Sequence, residues 1–183
     1  MHKDELWQEY DYNGLRLGPI RQDEDFYSKK LFGGAAIMLY RFVDGDVEFL
    51  FQCRSKFVDR NPEKWDVSTG GHINSEEDPL DAIVRETREE IGAKIEKKNL
   101  ELAAAYVREK RNLIYLYFCD WTNLPDEFRF DDREVSEVKW IKFNDLVAFW
   151  PSLKPNVESD PIFQTFLLEW TKQAREKYGN LDK

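Results

Sequence analysis

The chain has 183 residues, enough for one domain with a substantial core, and its 42% hydrophobic and 15% aromatic content argues against disorder over most of its length. Acidic residues outnumber basic ones by 36 to 27, and the net charge of −9 excludes a nucleic acid polymer as the expected partner, because a long polyanion would be repelled. No apolar stretch is long enough to span a membrane, and the polar N-terminus carries no secretion signal. We therefore expect a cytoplasmic protein with no membrane partner, in which Cys53 and Cys119 are buried thiols.

The first third of the chain contains two turn signals. Residues 1–30 mix charged and aromatic side chains, and Asn13-Gly14 predicts a hairpin turn, so we expect an N-terminal flap packed on the domain. Asp44-Gly45 predicts a second hairpin, between two apolar strands of the central sheet.

Two helices have well-marked ends. The first is predicted to begin with Asp78 as N-cap and Pro79 at the first helical position, and to stop at Gly92. The last helix has Asp160 as its predicted cap and Pro161 at its first position.

The remaining elements follow from apolar periodicity, and their alternation predicts an α/β layered domain. Strands are predicted over 35–43, 47–53, 102–107, 113–121 and 135–143, and a short helix over 144–149. We interpret residues 1–183 as one domain, made of the flap 1–30, a core 31–150 and a C-terminal helix 151–183.

The first marked helix ends in three acids, Glu86, Glu89 and Glu90. A helix C-terminus carries partial negative charge, and like charges four residues apart repel each other. At about 100° per residue the three carboxylates gather opposite the apolar side of the helix. Mg²⁺ binds through a few carboxylates and shares its other positions with water and substrate phosphates. The three acids fit a site for Mg²⁺, with Mn²⁺ as an alternative, but taken alone they are more simply interpreted as a solvated charged face.

A fixed spacing of glycine and charged residues surrounds these acids. In order it consists of Gly71, Glu77, Arg85, Glu86, Glu89, Glu90 and Gly92, with five residues between the first two and seven between Glu77 and Arg85. In this motif, residues 71–93, the chain resembles the Nudix hydrolase family, with mild departures at Thr87 and Ala93. The resemblance implies an α/β/α sandwich with a central mixed sheet, and hydrolysis of a diphosphate linked to another group.

The resemblance also implies roles for single residues. Glu77 and Arg85 would brace the loop against the helix with a salt bridge. Gly71 would form a tight turn that brings the backbone near the metal. The metal ligands would be Glu86, Glu89 and Glu90, with Gly71 beside them.

Hydrolysis needs a general base to take a proton from water. In the family this base is a glutamate of the motif or one on a later loop. Glu89 is the preferred candidate, Glu134 is next, and Glu137 also competes, while Glu86 belongs to the same catalytic group. His72 and Arg54 are candidates for contact with a phosphate or the metal.

Segments outside the motif resemble the Nudix subgroup related to isopentenyl diphosphate isomerase. These segments are 12–18, 49–55, 62–72 and 134–146. The catalytic cysteine of those isomerases corresponds to Gly70 here, and the chain's only histidine besides His72 is His2. An acidic pair of the isomerases falls near Arg111 and Leu113. The groups for an allylic proton shift are therefore missing.

Three functions remain in order of preference. The first is hydrolysis of a nucleoside diphosphate derivative or a similar small diphosphate, the second is isomerase-like activity, and the third is a non-catalytic diphosphate-binding module. The sequence does not identify the group linked to the diphosphate. A second copy of the chain, forming a homodimer, is a candidate partner.

Overall fold

The computed structural model describes residues 6–21, 30–109, 111–130 and 133–178. Within these ranges, nine strands form one mixed sheet. The strands are β1 Leu6–Tyr10, β2 Arg16–Arg21, β3 Leu31–Val43, β4 Asp46–Arg54, β5 Trp65–Asp66, β6 Thr69–His72, β7 Glu101–Arg108, β8 Asn112–Asp120 and β9 Val135–Lys142. The helices are α1 Pro79–Ile91, α2 Leu146–Phe149, α3 Pro155–Glu158 and α4 Pro161–Tyr178, with 3-10 turns at Lys97–Asn99, Phe143–Asp145 and Trp150–Ser152.

The sheet has a gap between β4 and β6, where its central strand β3 changes its antiparallel partner. We call this gap the seam. β3 runs parallel to β8, and on its other side it pairs antiparallel first with β6, up to Ile37, and then with β4, from Tyr40. Ser68 spans the seam, because its hydroxyl accepts from the Leu39 amide at 2.8 Å and donates to the Leu50 carbonyl at 2.6 Å. The seam leaves room for polar side chains between β4 and β6.

Helices cover the sheet on both faces. Ile83 and Ile91 of α1 pack with Ile37 in one core, and Phe163 of α4 packs with Met38 in the other. Adjacent residues of a strand point to opposite faces, so Ile37 and Met38 serve different cores. The predicted α/β/α layering is therefore confirmed.

The marked helix ends are mostly as predicted. Gly92 ends α1 in the left-handed conformation, with φ of 68°. Asp160 caps α4 by accepting two amide hydrogen bonds of 3.0 Å from its first turn. Asp78 occupies the N-cap position of α1, but its carboxylate makes no capping bond and pairs instead with Arg16 at 2.8 Å. The Asp78 carboxylate thus forms an ion pair with β2 instead of capping the helix.

Both ends of the chain differ from a simple flap and a single helix. β1 and β2 form the hairpin predicted at Asn13-Gly14, and β1 pairs with β3, so the hairpin extends the central sheet. Beyond residue 150 the chain forms a 3-10 turn and α3 before α4, because Pro155 and Pro161 each begin a new helix. Residues 1–5, 22–29, 110, 131–132 and 179–183 of the predicted segments lie outside the described residues. In the described ranges we find no helix with the length and apolarity needed to cross a membrane.

Candidate functional site

A cleft of about 600 Å³ lies along the seam. This volume is within the range of small-molecule sites. Its walls come from segments that are far apart in sequence, and they include Trp7, Phe32, Arg54, Asp66, Gly70, Gly71, His72, Arg85, Glu86, Glu90, Arg108, Asn112, Glu134, Lys154 and Asn156.

Arg85 holds the loop before α1 against the helix. Its guanidinium donates to both carboxylate oxygens of Glu77, at 2.9 and 3.0 Å, and to the carbonyl of His72 at 3.0 Å. The same group binds Glu86 at 2.8 Å and Glu89 at 3.0 Å. The salt bridge expected between Arg85 and Glu77 is therefore present, and it belongs to a larger network with bidentate geometry.

Gly71 does not form the tight turn that was predicted. It lies in β6, paired with Ala35, and its φ is outside the left-handed region. A Cβ at this position would stand 2.2 Å from Oε1 of Glu86. The glycine is needed for space rather than for backbone freedom, because the Glu86 carboxylate occupies the volume of a side chain.

The carboxyl of Glu86 has an unusual acidity. Its pKa is raised to about 7, chiefly by burial and also by the charges of Glu89 and Glu134, while Arg85 opposes the rise. A further cation close to this carboxyl would favour its charged form.

The helical projection placed Glu90 on the side of the helix away from the core, but in the structure this residue is buried. It is 4% exposed, and its Oε2 accepts from Gln52 Nε2 at 3.0 Å and from the Gly70 amide at 3.1 Å. Burial, followed by the charge of Glu86, raises the pKa of its carboxyl well above the usual range. Glu86 and Glu90 are four residues apart, so both face the seam. Glu89 is turned toward solvent, with 55% of its side chain exposed.

Thr87, at one of the departures from the motif, has a structural partner. Its hydroxyl donates to the Ile83 carbonyl at 2.7 Å and lies 2.9 Å from the hydroxyl of Thr69. Both threonines are fully buried. A hydroxyl replaces a hydrophobic group here because β6 supplies a matching hydroxyl.

The predicted metal ligands are near one another in the chain but are not gathered around one point. Among the described residues, no group of three or more His, Cys, Asp or Glu side chains is arranged to hold a metal ion. Glu89 pairs with Arg85, and Glu90 is hydrogen-bonded within the seam. The donor chemistry nevertheless fits Mg²⁺, because Glu86 and Glu90 present hard carboxyl oxygens at the cleft, and burial disfavours their charged forms, which a bound cation would favour.

Two cations, Arg54 and Lys154, also line the cleft. Lys154 forms an ion pair with Asp66, and Arg54 lies 3.8 Å from the same carboxylate. Burial lowers the pKa of the Lys154 amine, and Asp66 opposes this effect. Glu134 also lines the cleft, and its carbonyl accepts from the Ser55 amide at 2.8 Å.

His72 forms part of an aromatic wall. Its ring stacks on Trp7 with centroids 3.6 Å apart, and Phe32 lies 5.4 Å away. Burial lowers the pKa of His72 to about 3, and the nearby cations Arg60 and Lys154 contribute. The imidazole is therefore neutral near pH 7.

The structure brings most of the predicted site residues to one cleft. Glu86, Glu90, Gly71, His72, Arg54, Arg85 and Glu134 line it, whereas Glu77, Glu89 and Glu137 are not among its lining residues. Sequence reasoning missed Asp66, Lys154, Arg108, Asn112 and Asn156. Only Asp66 could have been noticed in the sequence, as a charged residue between the apolar residues Trp65 and Val67. The other four follow no spacing rule, because tertiary packing brings their elements together.

Comparison with known proteins gives a consistent picture. The family model described as "NUDIX domain" matches residues 33–164. Among curated proteins, Nudix hydrolase 3 of Arabidopsis thaliana is 27% identical over an alignment of 143 residues that covers 72% of this chain. The match spans only 18% of that relative, so the plant protein contains much more than the matched region.

Solved structures share the fold at low identity. The protein DR0079 of Deinococcus radiodurans superposes with a TM-score of 0.69 at 20% identity, covering 90% of this chain and 98% of that one. The NUDIX domain of Shewanella oneidensis NrtR, complexed with ADP ribose, gives 0.58 at 17% identity, with coverage of 84% and 91%. A C. elegans Ap4A hydrolase binary complex gives 0.56 at 20% identity, with coverage of 78% and 96%.

Proposed function

The chain belongs to the Nudix hydrolase family, and from this premise we propose that it is a Mg²⁺-dependent hydrolase of a diphosphate linkage, in a nucleoside diphosphate derivative or a similar small diphosphate. One observation carries the proposal. Glu86 and Glu90 line one cleft with carboxyl groups whose charged forms are disfavoured by burial, and Arg54 and Lys154 line the same cleft.

The metal would be held by Glu86, Glu89 and Glu90 beside Gly71, and Mn²⁺ could take the place of Mg²⁺. When bound, the ion supplies charge neutralisation for phosphate oxygens and a water of lowered pKa. Glu89 can reach such a site only if its carboxylate leaves Arg85, to which it is bound at 3.0 Å. More than half of the Glu89 side chain is exposed to solvent, at 55%.

The chain's own residues bind and orient the substrate. Arg54 and Lys154 are placed to contact phosphate oxygens, since Asp66 neutralises only part of their charge. Neutral His72 can donate or accept one hydrogen bond in the cleft.

A carboxylate acts as the general base that accepts a proton from the attacking water. The oxygen of water forms a bond to one phosphorus, the bond from that phosphorus to the bridging oxygen breaks, and the proton of the water passes to the base. Glu134 is supported by its position in the cleft, and Glu89 by its place in the motif. Glu137 lacks support, because it does not line the cleft.

The isomerase alternative has less support. Position 70 is glycine, and both cysteines of the chain are buried elsewhere, in β4 and β8. The non-catalytic alternative would require loss of acids that the chain retains. A homodimer stays a prediction, which sedimentation of the purified chain would test.

A substrate panel tests the proposal. ADP-ribose, diadenosine tetraphosphate, nucleoside diphosphates and isopentenyl diphosphate are incubated with Mg²⁺, with Mn²⁺ or with chelator. We expect metal-dependent cleavage of at least one nucleotide. Dimethylallyl diphosphate as the only product, or no cleavage above the chelated rate, would contradict it.

Variants assign the roles. Glu86→Gln should abolish turnover, while Glu96→Gln, an exposed control, should not change it. Of Glu134→Gln and Glu89→Gln, the variant that removes the base should lose about a hundredfold or more in kcat. Full activity in both would exclude both residues as the base.

A further inference from the structure

Three polar atoms without partners lie near one end of the cleft. Arg108 Nε, Asn112 Oδ1 and Asn156 Oδ1 are buried and make no hydrogen bond within the described part of the chain. All three residues line the cleft. Arg108 also makes no ion pair with any residue in the described ranges. Unpaired buried donors and acceptors are rare, so three in one region need an explanation.

The fold places these residues together. Arg108 and Asn112 are directly opposed in the antiparallel pair of β7 and β8, so their side chains share one face of the sheet. Asn156 approaches the cleft from α3. The neighbouring cations Arg54 and Lys154 both face Asp66, which separates them in function from Arg108.

Apolar side chains also line the cleft that these atoms share. Ile114 and Leu116, at alternate positions of β8 after Asn112, line the same cleft. Val157 and Phe163 from α3 and α4 complete this wall. A ligand that fits here has a flat apolar body and a polar edge, and small turns of the three side chains would direct their unpaired atoms at that edge.

We propose that this region binds a nucleobase, and that the base is guanine. The Watson–Crick edge of guanine presents one acceptor, the O6 oxygen, and two donors, the N1 and N2 groups. It thus complements one guanidinium donor and two amide oxygens. The inference rests on the proposed function, because the diphosphate attached to the base would extend toward Glu86 and Glu90.

Other ligand chemistries leave atoms unpaired. A second phosphate offers only acceptors, so both asparagine oxygens would remain without a donor. Adenine and cytosine present different orders of donors and acceptors along the same edge, and uracil offers one donor. A sugar would satisfy the hydrogen bonds but would not favour one base over another.

Two measurements separate this inference from the proposed function. The first compares kcat/KM for GDP, IDP, ADP, CDP and UDP in Mg²⁺. The second compares the rise in Tm caused by GMP, AMP, CMP and UMP without metal. We expect GDP to exceed the other natural bases by about tenfold or more, IDP to lose part of this preference through KM, and GMP to stabilise most.

Each outcome is decisive. Turnover with kcat/KM equal for all bases overturns the guanine subsite but leaves the hydrolase intact. Absence of turnover with selective stabilisation by GMP contradicts the hydrolase and supports the subsite. Absence of both overturns both.

Variants locate the subsite. Asn156→Ala and Arg108→Met should each reduce the GDP-to-ADP ratio about tenfold, chiefly through KM. Asn99→Ala, an exposed control outside the cleft, should keep the ratio of the unmodified chain. If the two cleft variants slow GDP and ADP equally, these residues do not bind the base and the proposal is wrong.

Discussion

Replacing Gly71 with alanine is a sharp test of how the site is built. The added Cβ would stand 2.2 Å from Oε1 and 2.7 Å from Oε2 of Glu86, whereas real Cβ contacts are essentially never below 3.0 Å. The colliding atoms are the end of a flexible side chain, and β6 holds Gly71 in an ordinary extended conformation. The carboxylate will therefore move and the backbone will not.

The expected magnitudes follow from this geometry. Relief of the contact displaces the Glu86 carboxylate by about 1 Å, and a displacement of that size can lower kcat about a hundredfold. Stability should change by less than about 1 kcal/mol, since alanine also restricts the unfolded chain. The signature is thus a large loss of activity with an almost unchanged Tm.

Gly70→Ala is the matched control. Its Cβ would lie 3.0 Å from the Ala35 carbonyl oxygen and 3.3 Å from the Cα of Ala36, so the obstacle there is backbone. We expect this variant to lose about 1–3 kcal/mol of stability. Kinetics of the best substrate and thermal unfolding of both variants make the comparison. If Gly71→Ala keeps full activity, or melts as early as Gly70→Ala, the account of this glycine is refuted.

Three further predictions concern stability and reactivity. Thr87→Val should cost about 1–3 kcal/mol by leaving the Thr69 hydroxyl unpaired, and adding Thr69→Val should recover part of the loss in a double-mutant cycle; additive losses would contradict the pairing. Asp160→Ala removes the α4 cap and the 2.8 Å bond to Tyr106, so urea unfolding should show a loss of about 1–2 kcal/mol, and an unchanged midpoint would exclude the cap. Burial raises the pKa of the Cys119 thiol to about 11, whereas the same thiol in the unfolded chain ionises near pH 9. The free energy of unfolding should therefore fall as the pH rises above 9. Alkylation of Cys119 at pH 8 should proceed only through unfolding, and rapid labelling of the native protein would contradict this.

Local signals in the sequence predicted the secondary structure well. Proline after aspartate located the beginnings of α1 and α4, and Gly92 located the end of α1, because capping depends on neighbouring residues only. The alternating and continuous apolar segments located most of the strands for the same reason.

The site was predicted less completely, because burial depends on contacts across the fold. A helical projection shows which side chains share a face, but not that the face of Glu90 meets the seam between β4 and β6. The family resemblance also implied a tight turn at Gly71, although the reason for this glycine is the space that the Glu86 carboxylate occupies. Asn112 and Asn156 belong to different elements, and only the packed structure relates them.

The network around Arg85 separates two parts of the molecule. This guanidinium joins the motif loop to α1 and holds Glu77 and Glu86 in place. Other parts of the cleft come from the loop 56–61, the β7–β8 hairpin and α3, and none of their described residues hydrogen-bonds to Arg85. Substitutions confined to residues 56–61 and 155–157 should therefore alter ligand preference while the Arg85 network with Glu77 and Glu86 stays in place, so the two properties can be varied independently.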